Sequence, residues 1–502
     1  MGSMSTAPAR RLRMTILPPD ERPNTAGYAY RIAGFSGVEV LRPPEHLMPR
    51  FRQPGDPAGL ADWLRSVDTS VDAHIISLDL LVHGGLVPSR LTSDSIAEVI
   101  GRLEVLRELT APVHACQVIT RLPHYDSSGR GLEEPEYWAT HGRLLFELSQ
   151  SWDRYERGEA SAEEVAAAER AVPGTYREDL LRRRLRNHVV TLAALDLAAD
   201  GVLTDLVITS DDTAERGLPA ADRLAVGRWA RRLHSGALLY PGADEVPSTL
   251  VARVAARARG LAPRVYVDCP ESESLARTAP YEDRPVGEGI AAQVEAVGGV
   301  SVDRAEAADL VLLVHGPAPE PGDWTGLPIT EDTSQESSRV AAAGRMHLEA
   351  GRRTALADLR YANGSDPQLV RALDDAGVLG ELVAYGGWNT AGNTIGTTLA
   401  AGVSALHEHS AEAAVARREF RDHKIIEDGH YLPVVRRRLQ EEYAARGLTD
   451  PPMEELAGLA ERVAGELTAW AGSISALGSV RVRNVRWPRS SLFIVDFDVE
   501  GR

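Results

Sequence analysis

The sequence predicts an α/β protein: a first domain built on a parallel β-sheet or barrel-like array, a Rossmann-like second domain, and a helical C-terminal region ending in a hairpin. Three observations carry this. Short runs rich in Val, Ile and Leu recur at 14–17, 38–41, 74–78, 113–120, 206–209 and 237–240, then at 264–267, 310–314, 354–357 and 382–385. Most are apolar throughout instead of alternating, as strands buried on both faces of a parallel sheet are. Helical stretches at 95–109, 220–234, 248–260, 286–297, 366–376 and 394–407 separate most of them, and strand–helix alternation is the α/β pattern.

A chain of 502 residues and 54.3 kDa exceeds one simple core, so two or three domains are expected. Residues 1–13 read as a disordered lead, and Met1-Gly2-Ser3-Met4 as a cloning scar. Residues 14–260 form the first α/β domain, with a charged helical insertion at 131–200 containing helices at 144–157, 161–170 and 178–199. Ser161 with Glu164 three residues on fits a capping box, which places a helix start there. Residues 261–407 are the second domain and 408–502 the C-terminal region, with helices at 411–422, 432–446 and 453–476. Alternating runs at 480–487 and 492–499 straddle Pro488-Arg489-Ser490-Ser491 and read as a hairpin bracing the domain interface.

Composition narrows the function classes. With 43% hydrophobic and 25% charged residues the chain reads as globular. Its 55 Lys+Arg against 72 Asp+Glu leave a formal charge of −17, the wrong sign for a generic nucleic-acid or anionic-membrane binder. Cys116 and Cys269 lie in or beside apolar runs and read as buried thiols in a reducing compartment. No segment approaches ~18 uninterrupted apolar residues. Arg10, Arg11 and Arg13 lead straight into a strand, unlike a secretory signal. The expectation is cytoplasmic. No Walker A loop, early G-x-G-x-x-G or G-x-S-x-G elbow occurs, and Gly287-Glu288-Gly289 is only a partial dinucleotide match. His407-Glu408-His409 lacks the i, i+4 spacing of a helical zinc pair.

Parallel sheets place ligand sites outside the carboxyl ends of their strands, and there the informative residues collect. The first run delivers Asp20 and Arg22; the third delivers Asp79, His83 and Arg90 around Gly84-Gly85; the fourth delivers Arg121. The fifth ends in Asp211-Asp212-Thr213 and the sixth in Tyr240, Asp244 and Glu245. Later runs add Tyr361 and Asn363, then Trp388, Asn389 and Asn393. Singly, an Asp before a helix is as good a cap as a catalyst, and paired glycines serve turns. Seven strands of one chain ending in charged or amide residues point instead to one shared pocket.

The loop series resembles a large bacterial and fungal family of domains of unknown function. Its members carry P-x-D-x-R-P, S-x-D-x-L-x-x-G-G-L-x-x-S-R, S-D-D-T, Y-P-G-A-D-E and G-W-N-T-x-G-N loops, here at 18–23, 77–90, 210–213, 240–245 and 387–393. Five matches in order span essentially the whole chain. The resemblance implies loops and no chemistry. More distantly, Asp211-Asp212 is similar to the adjacent aspartates of barrel β-N-acetylglucosaminidases. There one carboxylate orients the substrate amide and its neighbour acts as general acid.

Carboxylates, amides and aromatic rings together suit a sugar, whose hydroxyls take bidentate partners and whose face stacks on a ring. The expectation is a glycoside hydrolase-like enzyme acting on a small sugar or amino-sugar conjugate by carboxylate acid/base chemistry. Asp211 and Asp212 form the catalytic pair, with Asp244 or Glu245 as an alternative partner. Asp20, Arg22, Asp79, His83, Arg90, Arg121, Tyr240, Tyr361, Asn363, Trp388, Asn389 and Asn393 bind substrate. Arg22, Arg90 and Arg121 either grip an anionic substituent or neutralise the pocket's own aspartates, and the excess of acids favours the second. No cofactor is expected. The alternatives are a hydrolase or lyase using Mg²⁺ or Mn²⁺ on Asp20, Asp79, Asp211, Asp244 and Glu245, or a two-lobed protein binding a small polar molecule. The expected partner is a small polar, sugar-like molecule, with no nucleic acid and no membrane; assembly as a homo-oligomer stays open.

Overall fold

The computed structural model describes residues 11–126, 129–326, 329–408 and 410–501. Six strands, β1 (Leu12–Leu17), β2 (Val38–Leu41), β3 (Ala73–Ser77), β4 (Val113–Ile119), β5 (Asp205–Ser210) and β6 (Leu238–Pro241), form one wholly parallel sheet in the order β2-β1-β3-β4-β5-β6. A second parallel sheet contains β7 (Arg264–Asp268), β8 (Val300–Ser301), β9 (Leu310–His315), β10 (Thr354–Asp358) and β11 (Ala384–Gly386), ordered β11-β10-β9-β7-β8. In both, the strand order reverses once, beside β1/β3 and beside β7/β9, so each follows the doubly wound 2-1-3-4-5 pattern. The first sheet is open and not a barrel: β2 and β6 stand at opposite edges, and helices already cover both faces.

Burial explains the continuous apolar runs. Along β1, β3 and β5, Met14, Ile16, Ile75 and Val207 enter one core, while Leu17, Ile76, Leu206 and Ile208 enter another on the opposite face. The first of these cores is shared with the second sheet, through Leu312, Val314, Ala355 and Ala357. Between the sheets lie helices Val246–Ala258 and Ala391–Ala405, the second buried along its whole length. Small residues allow that approach: a Cβ on Gly392 would collide with the Pro241 carbonyl, and one on Gly396 with the Glu245 side chain.

Elements depart from the sequence expectation mainly at their ends. β1 begins at Leu12, inside the segment expected to be a disordered lead; residues 1–10 lie outside the described residues. The insertion between β4 and β5 is three helices, Trp138–Glu156, Ala162–Ala171 and Gly174–Ala199, with the Ser161/Glu164 capping box in place. The tail carries helix Ala411–Ile426, a π-helical turn Glu427–Arg436, helices Arg437–Ala444 and Leu456–Ser473, and the antiparallel pair β12 (Arg481–Arg486) and β13 (Asp496–Glu500). Its connecting loop is longer than the alternating pattern implied, because residues 487–495 leave the sheet. Among the described residues, no helix is long and apolar enough to cross a membrane. Cys116 is buried and Cys269 partly buried, both as free thiols.

Candidate functional site

A cavity of about 560 Å³ opens at the carboxyl ends of the first sheet's strands. Its wall takes Arg22 from the loop after β1, Arg90 from the region after β3, Arg121 after β4, Asp211 and Asp212 after β5, and Asp244 after β6. Asn363 and Asn389, after β10 and β11, approach from the second sheet, and Arg489, Leu492 and Phe493 from the β12–β13 loop. A cleft of about 620 Å³ lies elsewhere, lined by Pro263, Asp309, Arg353 and His407. It gathers residues at the starts of the second sheet's strands and lacks a comparable acid cluster.

Ion pairs order the charged half of the cavity. Arg22 grips Asp244 with both terminal nitrogens, at 2.7 and 3.1 Å, and gives its Nε to Asp20 at 2.7 Å. Arg90 donates to Asp211 at 2.6 Å, to Glu133 at 3.0 Å and to Glu134 at 3.2 Å. Arg121 reaches Asp212 at 2.9 Å and both Glu133 and Glu134 at 3.0 Å. Arg489 bridges Asp20 and Glu21, each at 3.2 Å, and also pairs with Glu133. Each arginine is thus engaged by at least two acids, as expected if they neutralise the pocket's own carboxylates. Fork-shaped guanidinium groups hold such arrays rigidly.

The acids are not equivalent. Burial, then the neighbouring Asp211 charge, push Asp212 up to about 7 against the pull of Arg121. Burial carries Asp244 to about 6 despite Arg22. Asp20 is pushed upward by burial, yet Arg22 and Arg489 hold it below the ordinary range; Glu133 is held well down by Arg121, Arg489 and Arg90. Protonated and ionised carboxyls therefore share one cavity near neutral pH. Backbone strain gathers here too. Of the eight non-glycine residues at positive φ among the described residues, Asp212, Tyr281, Asn363 and Asn389 line the cavity, and such strain concentrates at functional sites.

The structure brings Arg22, Arg90, Arg121, Asp211, Asp212, Asp244, Asn363 and Asn389 to the cavity. Asp20 stands behind Arg22, and Asn393 accepts from the Ala243 and Asp244 backbone N–H groups at 3.2 and 3.0 Å, fixing that loop. Asp79 also sits behind the wall, taking Gln117 Nε2 and the Val118 N–H at 3.1 Å each; burial pushes it to about 7. The remaining expected contacts are elsewhere. His83 is enclosed by the helix Leu78–His83 and its neighbours, and burial lowers it to about 3. Tyr240 joins the apolar core. Glu245 turns inward to the Ala243 N–H at 2.9 Å, and its burial holds it well above the ordinary range. Tyr361 donates to Glu331 at 2.8 Å and packs edge-on against Trp324. Trp388 is buried in a third core, between the second sheet and the C-terminal helices and hairpin. The expected aromatic platform is therefore not formed by Tyr240, Tyr361 or Trp388; their rings gain more from apolar burial.

The five acids of the metal-binding alternative are taken up by arginine, amide or backbone donors. Among the described residues no group of three or more His, Cys, Asp or Glu is arranged to hold a metal ion.

A family model described as "Protein of unknown function (DUF4127)" matches residues 14–475. The chain belongs to that family. No curated protein matches. Among solved structures the chain is similar to a C2-type ketoreductase from a modular polyketide synthase, at 15% identity over 74% of this chain and 93% of that chain, with a TM-score of 0.14.

Several cavity residues of this family member escaped the sequence reading. The rings come from His124, Tyr125, Tyr281 and Phe493, and the hub of the ion-pair array is Glu133 with Arg489. His124 and Tyr125 follow Arg121 by three and four residues, a signal within reach. Tyr281 precedes a helix instead of ending a strand, and its carbonyl accepts the Thr213 N–H at 3.0 Å, tethering the Asp211-Asp212 loop.

Proposed function

We propose that this protein is a glycoside hydrolase-like enzyme acting on a small sugar or amino-sugar conjugate, with Asp212 as general acid. The observation that carries the reading is the Asp211-Asp212 pair: one carboxyl carried to about 7 by burial and its neighbour, the other ion-paired to Arg90 at 2.6 Å. A carboxyl holding its proton near neutrality can give it to a leaving-group oxygen, while an ionised one stabilises developing positive charge or attacks. Asp244, carried to about 6, is the alternative partner. Four arginines against seven carboxylates (Asp20, Glu21, Glu133, Glu134, Asp211, Asp212 and Asp244) favour a ligand without strong negative charge. Tyr281 offers a ring face for a sugar.

The test is a panel of aryl α- and β-glycosides, including N-acetylamino sugars, with Asp211→Asn and Asp212→Asn beside the wild type and again after EDTA. Turnover by the wild type that either substitution lowers and EDTA leaves alone supports the reading. Turnover indifferent to both substitutions rejects the pair, and loss with EDTA moves the chemistry to a metal. A binding role without turnover is the second reading, favoured by walls drawn from both sheets.

A further inference from the structure

The half of the cavity contributed by the second sheet holds a hydrogen-bonding group without a partner. Asn363 is 4% exposed and lines the cavity, yet its side-chain Oδ1 has no hydrogen-bond partner among the described residues. Everything else about the residue is fixed. Its backbone N–H donates to the Asn389 carbonyl at 2.7 Å, and its own carbonyl accepts from Arg436 Nη2 at 2.7 Å. Its Nδ2 donates to Asp323 Oδ1 at 2.9 Å. That last bond settles which way the amide faces. A carboxylate only accepts, so a flipped amide would set oxygen against oxygen. Asp323 is itself anchored, by the Thr325 N–H at 2.7 Å, the Thr325 hydroxyl at 2.8 Å and the Tyr281 hydroxyl. Oδ1 is therefore an acceptor held in place and left empty, and a buried polar atom in that state is costly.

Asn389 lies beside it, also at positive φ, and no hydrogen bond ties its side chain to another described residue. Phe493 and Leu492 supply an apolar surface on this side of the cavity. Phe493 belongs to this wall: its ring lies 5.3 Å from the guanidinium of Arg436, which holds Asn363. We infer that Asn363 and Asn389 form a subsite for a secondary amide, so that the ligand is an N-acyl amino sugar. The amide N–H donates to Asn363 Oδ1, its carbonyl accepts from the Asn389 amide, and the acyl methyl lies against Phe493. A pair of hydroxyls would meet the two asparagines but leave the apolar face uncovered. The inference rests on the sugar reading above and extends it to the substituent recognised.

The test separates the two. Binding is measured calorimetrically on Asp212→Asn protein, which removes turnover from the readout, with N-acetylglucosamine and N-acetylgalactosamine against glucose and galactose. Asn363→Gly and Asn389→Gly are made in the same background; glycine keeps the positive φ and the backbone bonds. Melting curves report whether each variant folds. The expected result is at least a tenfold preference for the acetamido sugars, reduced about tenfold by Asn363→Gly and less by Asn389→Gly. Equal binding of both sugar classes, binding of none, or a preference untouched by either glycine overturns the amide subsite. A preference that Asn363→Gly abolishes, in a wild type that turns over no glycoside, keeps the subsite and rejects the hydrolase reading.

Discussion

Removing Arg22 should destabilise the protein by an amount that grows with pH. Arg22 holds Asp244 by two bonds at 2.7 and 3.1 Å and Asp20 by one at 2.7 Å, and all three residues are buried. In Arg22→Met, Asp20 keeps Arg489 at 3.2 Å and the Thr25 hydroxyl at 2.7 Å, whereas the Asp244 carboxylate keeps, among the described residues, only the side-chain amide of Asn24. Breaking a buried pair from one side typically costs about 3–5 kcal/mol. Asp244 can avoid part of this by taking a proton, since burial already carries it to about 6 with Arg22 present. A carboxyl whose folded pKa exceeds its unfolded value binds more protons folded, so stability falls as pH rises between the two. The wild type leaves that window near pH 6, and the variant stays in it to higher pH. The gap should therefore widen by roughly 1–1.5 kcal/mol per pH unit above 6. That amounts to about 2–3 kcal/mol between pH 6 and 8, added to about 1–2 kcal/mol for lost packing and hydrogen bonding at pH 6. Urea unfolding of both proteins at the two pH values measures it, because acids beyond the reach of Arg22 cancel in the difference, and Asp20 keeps Arg489 to hold it ionised across this range. A gap that is the same at pH 6 and pH 8 would mean that Asp244 takes up no extra proton when Arg22 is lost.

Other consequences follow from named contacts. Lys424, fully buried, donates to Glu427 at 2.8 Å and Tyr28 at 3.0 Å and pairs with Asp428 at 2.9 Å. Lys424→Met should cost about 3–5 kcal/mol, and an unchanged urea midpoint would contradict this. Gly392→Ala drives a methyl into the Pro241 carbonyl where the two sheets' helices meet. It should lower stability by about 1–3 kcal/mol, read as a fall in melting temperature. Asp212→Asn should reduce glycoside turnover by roughly 10²–10⁴. In the wild type, turnover should fall as pH rises through about 7, as the acid loses its proton.

Much of the architecture was legible because buried parallel strands need apolar residues on both faces; Ile75 and Ile76 are adjacent in sequence and enter opposite cores. The charged half of the cavity was legible for a related reason, since strand ends deliver Asp20, Arg22, Arg121 and Asp211 to one edge. The rings were not. Tyr240 and Trp388 carry the same strand-end position as the acids, but the core between the sheets encloses the first, and the core between the second sheet and the C-terminal region encloses the second. Position after a strand says which edge a residue reaches and not whether its side chain faces the cavity or the core. Arg489 was hidden for another reason: its partners Asp20, Glu21 and Glu133 lie 356 to 469 residues away. The strand order also lay beyond reach, because β8, with Val300 and Ser301, is too short to leave an apolar run.

The cavity should keep a protonated carboxyl near neutral pH, and that carboxyl should be Asp212. Infrared difference spectra of wild type minus Asp212→Asn across pH 4 to 9 test it without needing a substrate. The expected result is a protonated-carboxyl difference band that disappears as pH rises through about 7. The bands of Asp79 and Glu245 are common to both proteins and cancel; a difference band lost in the ordinary carboxylate range near pH 4, or no difference band at all, would contradict the assignment.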